Sequence, residues 1–187
     1  GLVSSLQSGY STVLALRASE ARYRTMFEST AAGVYQATCD DKLITINPAF
    51  VTMLDRGVEQ AGLLSNEPAA QADMLLTLGR VYSKFGRYQR ADSLLQKSLS
   101  ILRNVSGDEH PDVAANLLAL SQLREDQANL PEAERFAREA LALLRRTRPP
   151  GHADVATAMT SLGRVLQARN ELPQAVAILE DAVRLQT

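Results

Sequence analysis

A solenoid of stacked helical hairpins is the fold that residues 69–187 predict, and three observations predict it. The first is a repeat: Asp112-Val113-Ala114 returns as Asp154-Val155-Ala156, and His110 as His152, each 42 positions on. The second is register. Leu75, Leu117 and Met159 keep that spacing, as do Leu78, Leu120 and Leu162, and also Ala91, Ala133 and Ala175, and Leu99, Leu141 and Val183. The third is helical periodicity inside each unit. A supersecondary unit of this length cannot bury its apolar face alone, so copies stack and offer a surface to a partner. The predicted class is therefore mainly α, with a small α+β segment ahead of the array.

Val3, Leu6, Tyr10 and Val13 recur at helical spacing, so residues 1–19 are expected to form a connecting helix. It would serve either as a seam for a homodimer or as an amphipathic helix on the chain's own surface. Ala21 to Glu28 reads as helical, with Tyr23 and Phe27 one turn apart. Gly33 to Thr38 and Leu43 to Asn47 read as strands about the turn Cys39-Asp40-Asp41-Lys42. Asn47-Pro48 reads as a turn into a helix from Ala49 to Leu64. The motifs Arg22-Tyr23-Arg24-Thr25-Met26-Phe27-Glu28, Gly33-Val34-Tyr35 and Ile46-Asn47-Pro48-Ala49-Phe50 make residues 20–56 resemble the opening third of a PAS sensor domain. Such a domain needs three further strands to close its ligand cavity, and no strand-like run follows Leu54, so a cofactor cavity is not expected. Gly57, Ala61, Leu64 and Pro68 echo the small-then-apolar spacing of Ala91, Leu95, Ser98 and Leu102. Residues 57–68 are thus expected to end a lead-in helix that seals the first unit, with Asn66-Glu67-Pro68 as linker.

The array divides into units 69–110, 111–152 and 153–187, each two amphipathic helices and a short turn. In the first, Leu75, Leu78, Val81 and Tyr82 form one stripe, and Ala91, Leu94, Leu95, Ser98, Leu99 and Leu102 the other. Gly86 suits the helix end between them, where a left-handed residue is needed. The second unit repeats this with Leu117, Leu120 and Leu123, then Ala133, Phe136, Ala137, Ala140, Leu141 and Leu144. The third offers Met159, Leu162, Val165 and Leu166, then Ala175, Ile178, Leu179, Ala182 and Val183. Pro131 and Pro173 fit first turns, where a missing N–H costs nothing. Pro111, Asp112 and Asp154 start helices with charge that favours the dipole.

Leu75, Leu78-Gly79 and Tyr82, followed by Gly86-Arg87-Tyr88-Gln89-Arg90-Ala91, resemble the tetratricopeptide repeat (TPR) signature. The 42-residue unit and its His-Pro-Asp-Val-Ala loop are similar to the long-helix variety found in kinesin light chains, and such arrays also occur in bacterial signalling proteins. The resemblance implies a right-handed superhelix that binds protein. Ser121 and Arg124 depart from the signature, standing where glycine and an aromatic are usual, and Gln127-Ala128 replaces the turn glycine.

Composition narrows the function. Twenty basic against 21 acidic residues and 5% aromatics leave no polybasic face for nucleic acid. No apolar run approaches the roughly 20 residues of a membrane span, and the opening residues lack the basic start and apolar stretch of a secretory leader. A first residue other than Met suggests a piece of a longer chain. Cys39 alone gives no disulfide framework, which fits a cytoplasmic setting, and 17 Arg to 3 Lys hints at a GC-rich bacterial source. No phosphate-cradling loop or nucleophile elbow occurs, and the only histidines, His110 and His152, sit in loops where a capping role is expected. Asp40-Asp41, Glu125-Asp126 and Glu180-Asp181 are adjacent pairs whose side chains diverge. No catalytic residue, metal or cofactor is expected.

The resemblance implies a groove lined by the first helix of each unit. Its positions are Asp73, Leu76, Arg80 and Ser83, then Ala115, Leu118, Gln122 and Glu125, then Thr157, Thr160, Arg164 and Gln167. Arg80 and Arg164 flank Gln122 and Glu125, which gives a mixed groove with two cationic ends. A peptide or protein segment with acidic side chains or a C-terminal carboxylate could engage both. The alternative is a PAS-type sensory or dimerisation module coupled to the array, and a remnant without function at residues 1–56 also fits the sequence.

Overall fold

Backbone chemistry repeated every 42 residues ends the first helix of each hairpin. Gly86, Ala128 and Asn170 all take left-handed backbone, at φ 69°, 58° and 63°. Around each, the same two bonds close the turn. Gly86 N–H donates to Ser83 O (2.9 Å) and Arg87 N–H to Tyr82 O (3.0 Å). Ala128 and Asn129 do so to Glu125 (2.9 Å) and Arg124 (2.8 Å), and Asn170 and Glu171 to Gln167 (2.9 Å) and Leu166 (2.9 Å). This is a Schellman arrangement, which satisfies carbonyls a helix end leaves open. Asn tolerates the left-handed well, whereas alanine is strained there. Ala128→Gly is therefore expected to raise the unfolding free energy by about 1 kcal/mol, read as a later urea midpoint. An unchanged or earlier midpoint would contradict strain at this turn.

The computed structural model describes residue 17, residues 19–37 and residues 43–185. Most of the connecting helix expected over residues 1–19, and Cys39 with its turn, lie outside the described residues. Two compact units are present, Gly1–Arg56 and Gly57–Thr187.

In the first unit, helix α1 covers residues 19–29, and Tyr23 stacks on Phe27 with ring centroids 6.0 Å apart. Strands β1 (Tyr35–Ala37) and β2 (Leu43–Ile46) pair antiparallel, shorter than the expected runs, with a bulge after Gln36. Helix α2 (Pro48–Leu63) begins here. Asn47, wholly buried, is the joint. Its Oδ1 accepts from Val34 N (3.0 Å) and Phe50 N (3.0 Å), while its Nδ2 donates to Thr30 O (3.2 Å) and Ala32 O (2.9 Å). A buried side-chain amide satisfied four times both caps α2 and fixes the approach of the preceding chain.

The second unit holds α3 (Pro68–Lys84), α4 (Tyr88–Ser106), α5 (Pro111–Asp126), α6 (Leu130–Thr147), α7 (Ala153–Ala168) and α8 (Leu172–Arg184). Contacts are strongest within the pairs α3–α4, α5–α6 and α7–α8, then between α4 and α5 and between α6 and α7. Three hairpins thus stack in chain order. The predicted stripes form the core: Leu75, Leu95, Leu117, Leu120, Leu123, Leu162 and Leu166 are among the largest fully buried side chains. Each such leucine contributes about 1.5–3 kcal/mol by burial. In the lead-in segment Ala61 is fully buried, and Gln71 Nε2 donates to Ala61 O at 2.8 Å.

Both histidines are N-caps. The Nδ1 of His110 accepts from Asp112 N at 3.2 Å, and that of His152 from Asp154 N at 3.1 Å. Each satisfies one of the donors a helix start leaves open.

Two departures from the TPR signature have compensations. At Gly79 an added Cβ would lie 2.7 Å from Leu95 Cδ2, and at Gly163 2.6 Å from Leu179 Cδ2. The middle unit carries Ser121 at this register, and at the register of the two leucines it carries Ala137. Ser121 is buried and its Oγ donates to Ala133 O at 2.8 Å. A larger residue on one helix is matched by a smaller one on the other. Arg124, in place of an aromatic, reaches Asp92 at 2.8 Å and Glu132 at 2.7 Å with its side chain 13% exposed. It joins α4, α5 and α6 by charge instead of ring packing.

One stripe position differs from expectation. Val183 is 61% exposed, whereas Leu99 and Leu141 at the same register are 4% and 5% exposed. In the first and middle units the next hairpin packs against this helix; Val176 and Leu172 on α8 are exposed like Val183.

Candidate functional site

The first helices of the three hairpins, α3, α5 and α7, line up side by side, and a cavity of about 490 Å³ opens along them. From α3 it takes Arg80, Ser83 and Lys84, and from α5 Leu118, Ala119, Gln122 and Asp126. Thr157, Thr160, Ser161 and Arg164 complete it from α7. Arg80, Ser83, Leu118, Gln122, Thr157, Thr160 and Arg164 of the expected groove therefore share one cavity. A second cavity of about 350 Å³ continues it past Arg80, Leu118 and Thr157 to Ala115, Asp112, Arg148 and Asp154. Asp73 and Gln167 are exposed but stand outside the first cavity, and Leu76 is a core residue at 8% exposure. Leu76 turns inward because the apolar stripe of α3 is wide enough to include it.

Charge is arranged differently from the expected two cationic ends. The guanidinium of Arg164 grips Glu125, with Nη2 to Oε2 at 2.9 Å and Nε to both oxygens at 3.2 Å, and it also donates to Gln122 Oε1. A forked pairing of this kind holds the arginine in place and offsets its charge. Glu125 accordingly stands behind the wall, its side chain 18% exposed. The polar chain goes on: Gln122 Nε2 donates to Asp126 Oδ1 at 2.9 Å, and Ser83 Oγ donates to Asp126 Oδ2 at 3.0 Å. One ladder of side chains thus crosses all three hairpins.

The cationic end that remains is on α3. Arg80 is exposed and donates through Nη2 to Ala115 O at 3.2 Å, and Lys84, one turn on, makes no ion pair among the described residues. Sequence reasoning missed Lys84, although its spacing of four from Arg80 puts both on one helical face. It also missed Asp126, whose role depends on a residue one unit away. Among the described residues no three His, Cys, Asp or Glu side chains group as metal ligands, and no helix is long and apolar enough to cross a membrane. The wall offers hydrogen-bond donors, an apolar floor at Leu118 and a positive rim. That combination can hold a segment of polypeptide.

Comparison with known proteins agrees with this geometry. The tetratricopeptide repeat model matches residues 70–146 and 126–187, and a PAS domain model matches residues 21–81. Among curated proteins none is significantly similar to the chain. Among solved structures, BtubC (BKLC) from P. vanneervenii superposes with a TM-score of 0.62 at 19% identity, covering 72% of this chain and 57% of its own. A Podosopora anserina protein of nearly identical kinesin-light-chain TPR-like repeats gives 0.59 at 25% identity, covering 64% of this chain and 56% of its own. The N-terminal domain of stress-induced protein-1 from C. elegans gives 0.51 at 20% identity, covering 65% of this chain and 88% of its own. The chain thus spans little more than half the length of the first two. The repeat model covers well over half of the chain, and the same turn closes each of the three hairpins it spans. The chain belongs to the tetratricopeptide repeat family.

Proposed function

We propose that the chain is a protein-interaction scaffold whose α3–α5–α7 groove holds a polypeptide segment with acidic groups at the Arg80–Lys84 end. The observation that carries this reading is the cavity of about 490 Å³, where seven of the expected groove residues meet under a positive rim. The polar ladder from Ser83 to Arg164 supports it further. A wall already fixed by its own hydrogen bonds loses little freedom on binding, so more of the contact energy becomes affinity. The setting we infer is a cytoplasmic regulatory or signalling protein of a bacterium, in keeping with its arginine-rich composition and single cysteine.

The test is capture from the source cell's lysate by the full chain, beside Arg80→Glu/Lys84→Glu. Both residues are exposed, so the reversal leaves the core intact. A protein held by the parent chain and lost with the variant is the expected result. Identical capture by both refutes binding at this end of the groove. The PAS match over residues 21–81 and the Asn47-centred joint favour a second reading, a sensory or dimerisation module coupled to the array. Sedimentation of the same chain decides it, since a monomer at micromolar concentration leaves the scaffold reading alone.

A further inference from the structure

Away from the groove, the array carries the same notch twice, one period apart, with different chemistry. Each lies where the end of one hairpin's second helix meets both helices of the next. In the first, Arg103, Asp108 and Glu139 stand over Val113 and Leu117. Arg103 is saturated there, at 3.0 Å from Asp108 and 3.0 Å from Glu139, and Arg146 pairs with Glu109 at 3.3 Å.

In the second notch, of about 390 Å³, Arg145 takes the register of Arg103, over Val155 and Met159. Pro150 and Gly151 occupy the register of Asp108 and Glu109, so both loop carboxylates are gone. Arg184 replaces Ala142, and Asp181 replaces Glu139. Three arginines now face one carboxylate on the wall. Arg148 is tied to Asp154 at 2.9 Å, and Arg184 reaches along its own helix to Asp181 at 3.5 Å and Glu180 at 3.8 Å. Exposed pairs of this second kind are weak and exchange readily. Arg145 has no ion pair or hydrogen bond among the described residues. The two changes act together: the acids that silence the first notch are absent, and a cation is added.

The geometry points to the second notch as a binding site for an acidic polypeptide segment, a carboxylate pair flanking an apolar side chain. The carboxylates meet Arg145 and Arg184, and the apolar side chain enters over Val155 and Met159. Forked arginine–carboxylate pairing supplies orientation, and the apolar side chain packs against a floor whose Val155 and Met159 are themselves buried. This site shares Arg148 with the cavity that continues the groove, but Arg145, Arg184, Val155 and Met159 line the notch alone.

The experiment titrates a fluorescein-labelled peptide, Asp-Glu-Leu-Glu-Asp, with the full chain at low ionic strength, followed by anisotropy. Pro150→Asp/Arg184→Ala installs in the second notch the residues that the first already carries, and so keeps a surface this chain tolerates. Gly151 is left alone because its φ of 84° disfavours a side chain. Binding is expected to weaken by about tenfold or more in that variant, a larger loss than in Arg80→Glu/Lys84→Glu. The reciprocal change, Asp108→Pro/Ala142→Arg, should add one peptide site per chain. The inference is overturned if the parent chain fails to bind the peptide, if Pro150→Asp/Arg184→Ala binds as the parent does, or if only Arg80→Glu/Lys84→Glu loses binding. The last result would place the peptide in the groove instead.

Discussion

Ala137→Leu is expected to destabilise the array by about 1–3 kcal/mol, and Ser121→Gly added to it to return most of that loss. In the outer hairpins a leucine at this register, Leu95 or Leu179, occupies the space that a Cβ on Gly79 or Gly163 would need. The middle hairpin inverts the pairing with Ser121 and Ala137, both fully buried. A leucine at position 137 therefore meets Ser121 at van der Waals overlap in a close-packed interior. Ser121→Gly alone should also cost stability, through glycine's backbone freedom and the lost bond to Ala133. Urea unfolding of the parent, the two single variants and the double one gives the coupling directly, expected at roughly 1–3 kcal/mol in favour of the matched pair. Additive losses would show that the two positions do not share space.

Ser98→Ala is expected to cost about 2–3 kcal/mol, because it strands a buried amide. Asn116 Nδ2 donates to Ser98 Oγ at 2.5 Å, and Ser98 Oγ donates to Ala72 O at 2.6 Å. Asn116 and Ser98 are both wholly buried, and Asn116 Oδ1 has no partner among the described residues. This relay ties α3, α4 and α5 at the first junction only. One period on, its places are taken by Ala140 and Ala158, which are also fully buried. Ser98→Ala/Asn116→Ala, which copies that apolar junction, should recover about half of the loss of the single variant. A half-satisfied polar network is worse than none. If the double variant is less stable than Ser98→Ala, the relay is a net stabiliser and this ranking fails.

The hairpins were legible because one period carries both the apolar stripes and the turn chemistry: Leu75, Leu117 and Met159 are all buried at equivalent places. Gly86 announced a left-handed turn, and Asn170 and Ala128 took the same backbone, the alanine without the residue that favours it, because the bonds from Ala128 and Asn129 close the turn regardless. Compensation between elements was not legible. Nothing local to Ser121 reveals Ala137, and nothing local to Arg124 reveals Asp92. In the groove, seven expected residues meet, but the charge of Arg164 is held by Glu125 on another hairpin, so the rim moved to Arg80 and Lys84. Asn47 read as a turn residue, yet its four bonds reach Thr30, Ala32, Val34 and Phe50. Periodicity fixes which face is buried and leaves open which polar atoms find each other across it.

The ladder from Ser83 through Asp126 and Gln122 to Arg164, which also grips Glu125, bears on the elasticity of the array too. In a repeat protein each unit touches only its neighbours, so a pull on the array falls on its junctions. Spreading α3, α5 and α7 apart lengthens these exposed polar ties before the leucine layers between hairpins separate. The first resistance to stretching thus comes from hydrogen bonds and one ion pair, and its ionic part softens as salt screens it. Stiffness on the groove side becomes a property that solution conditions tune, while the hairpins themselves stay rigid.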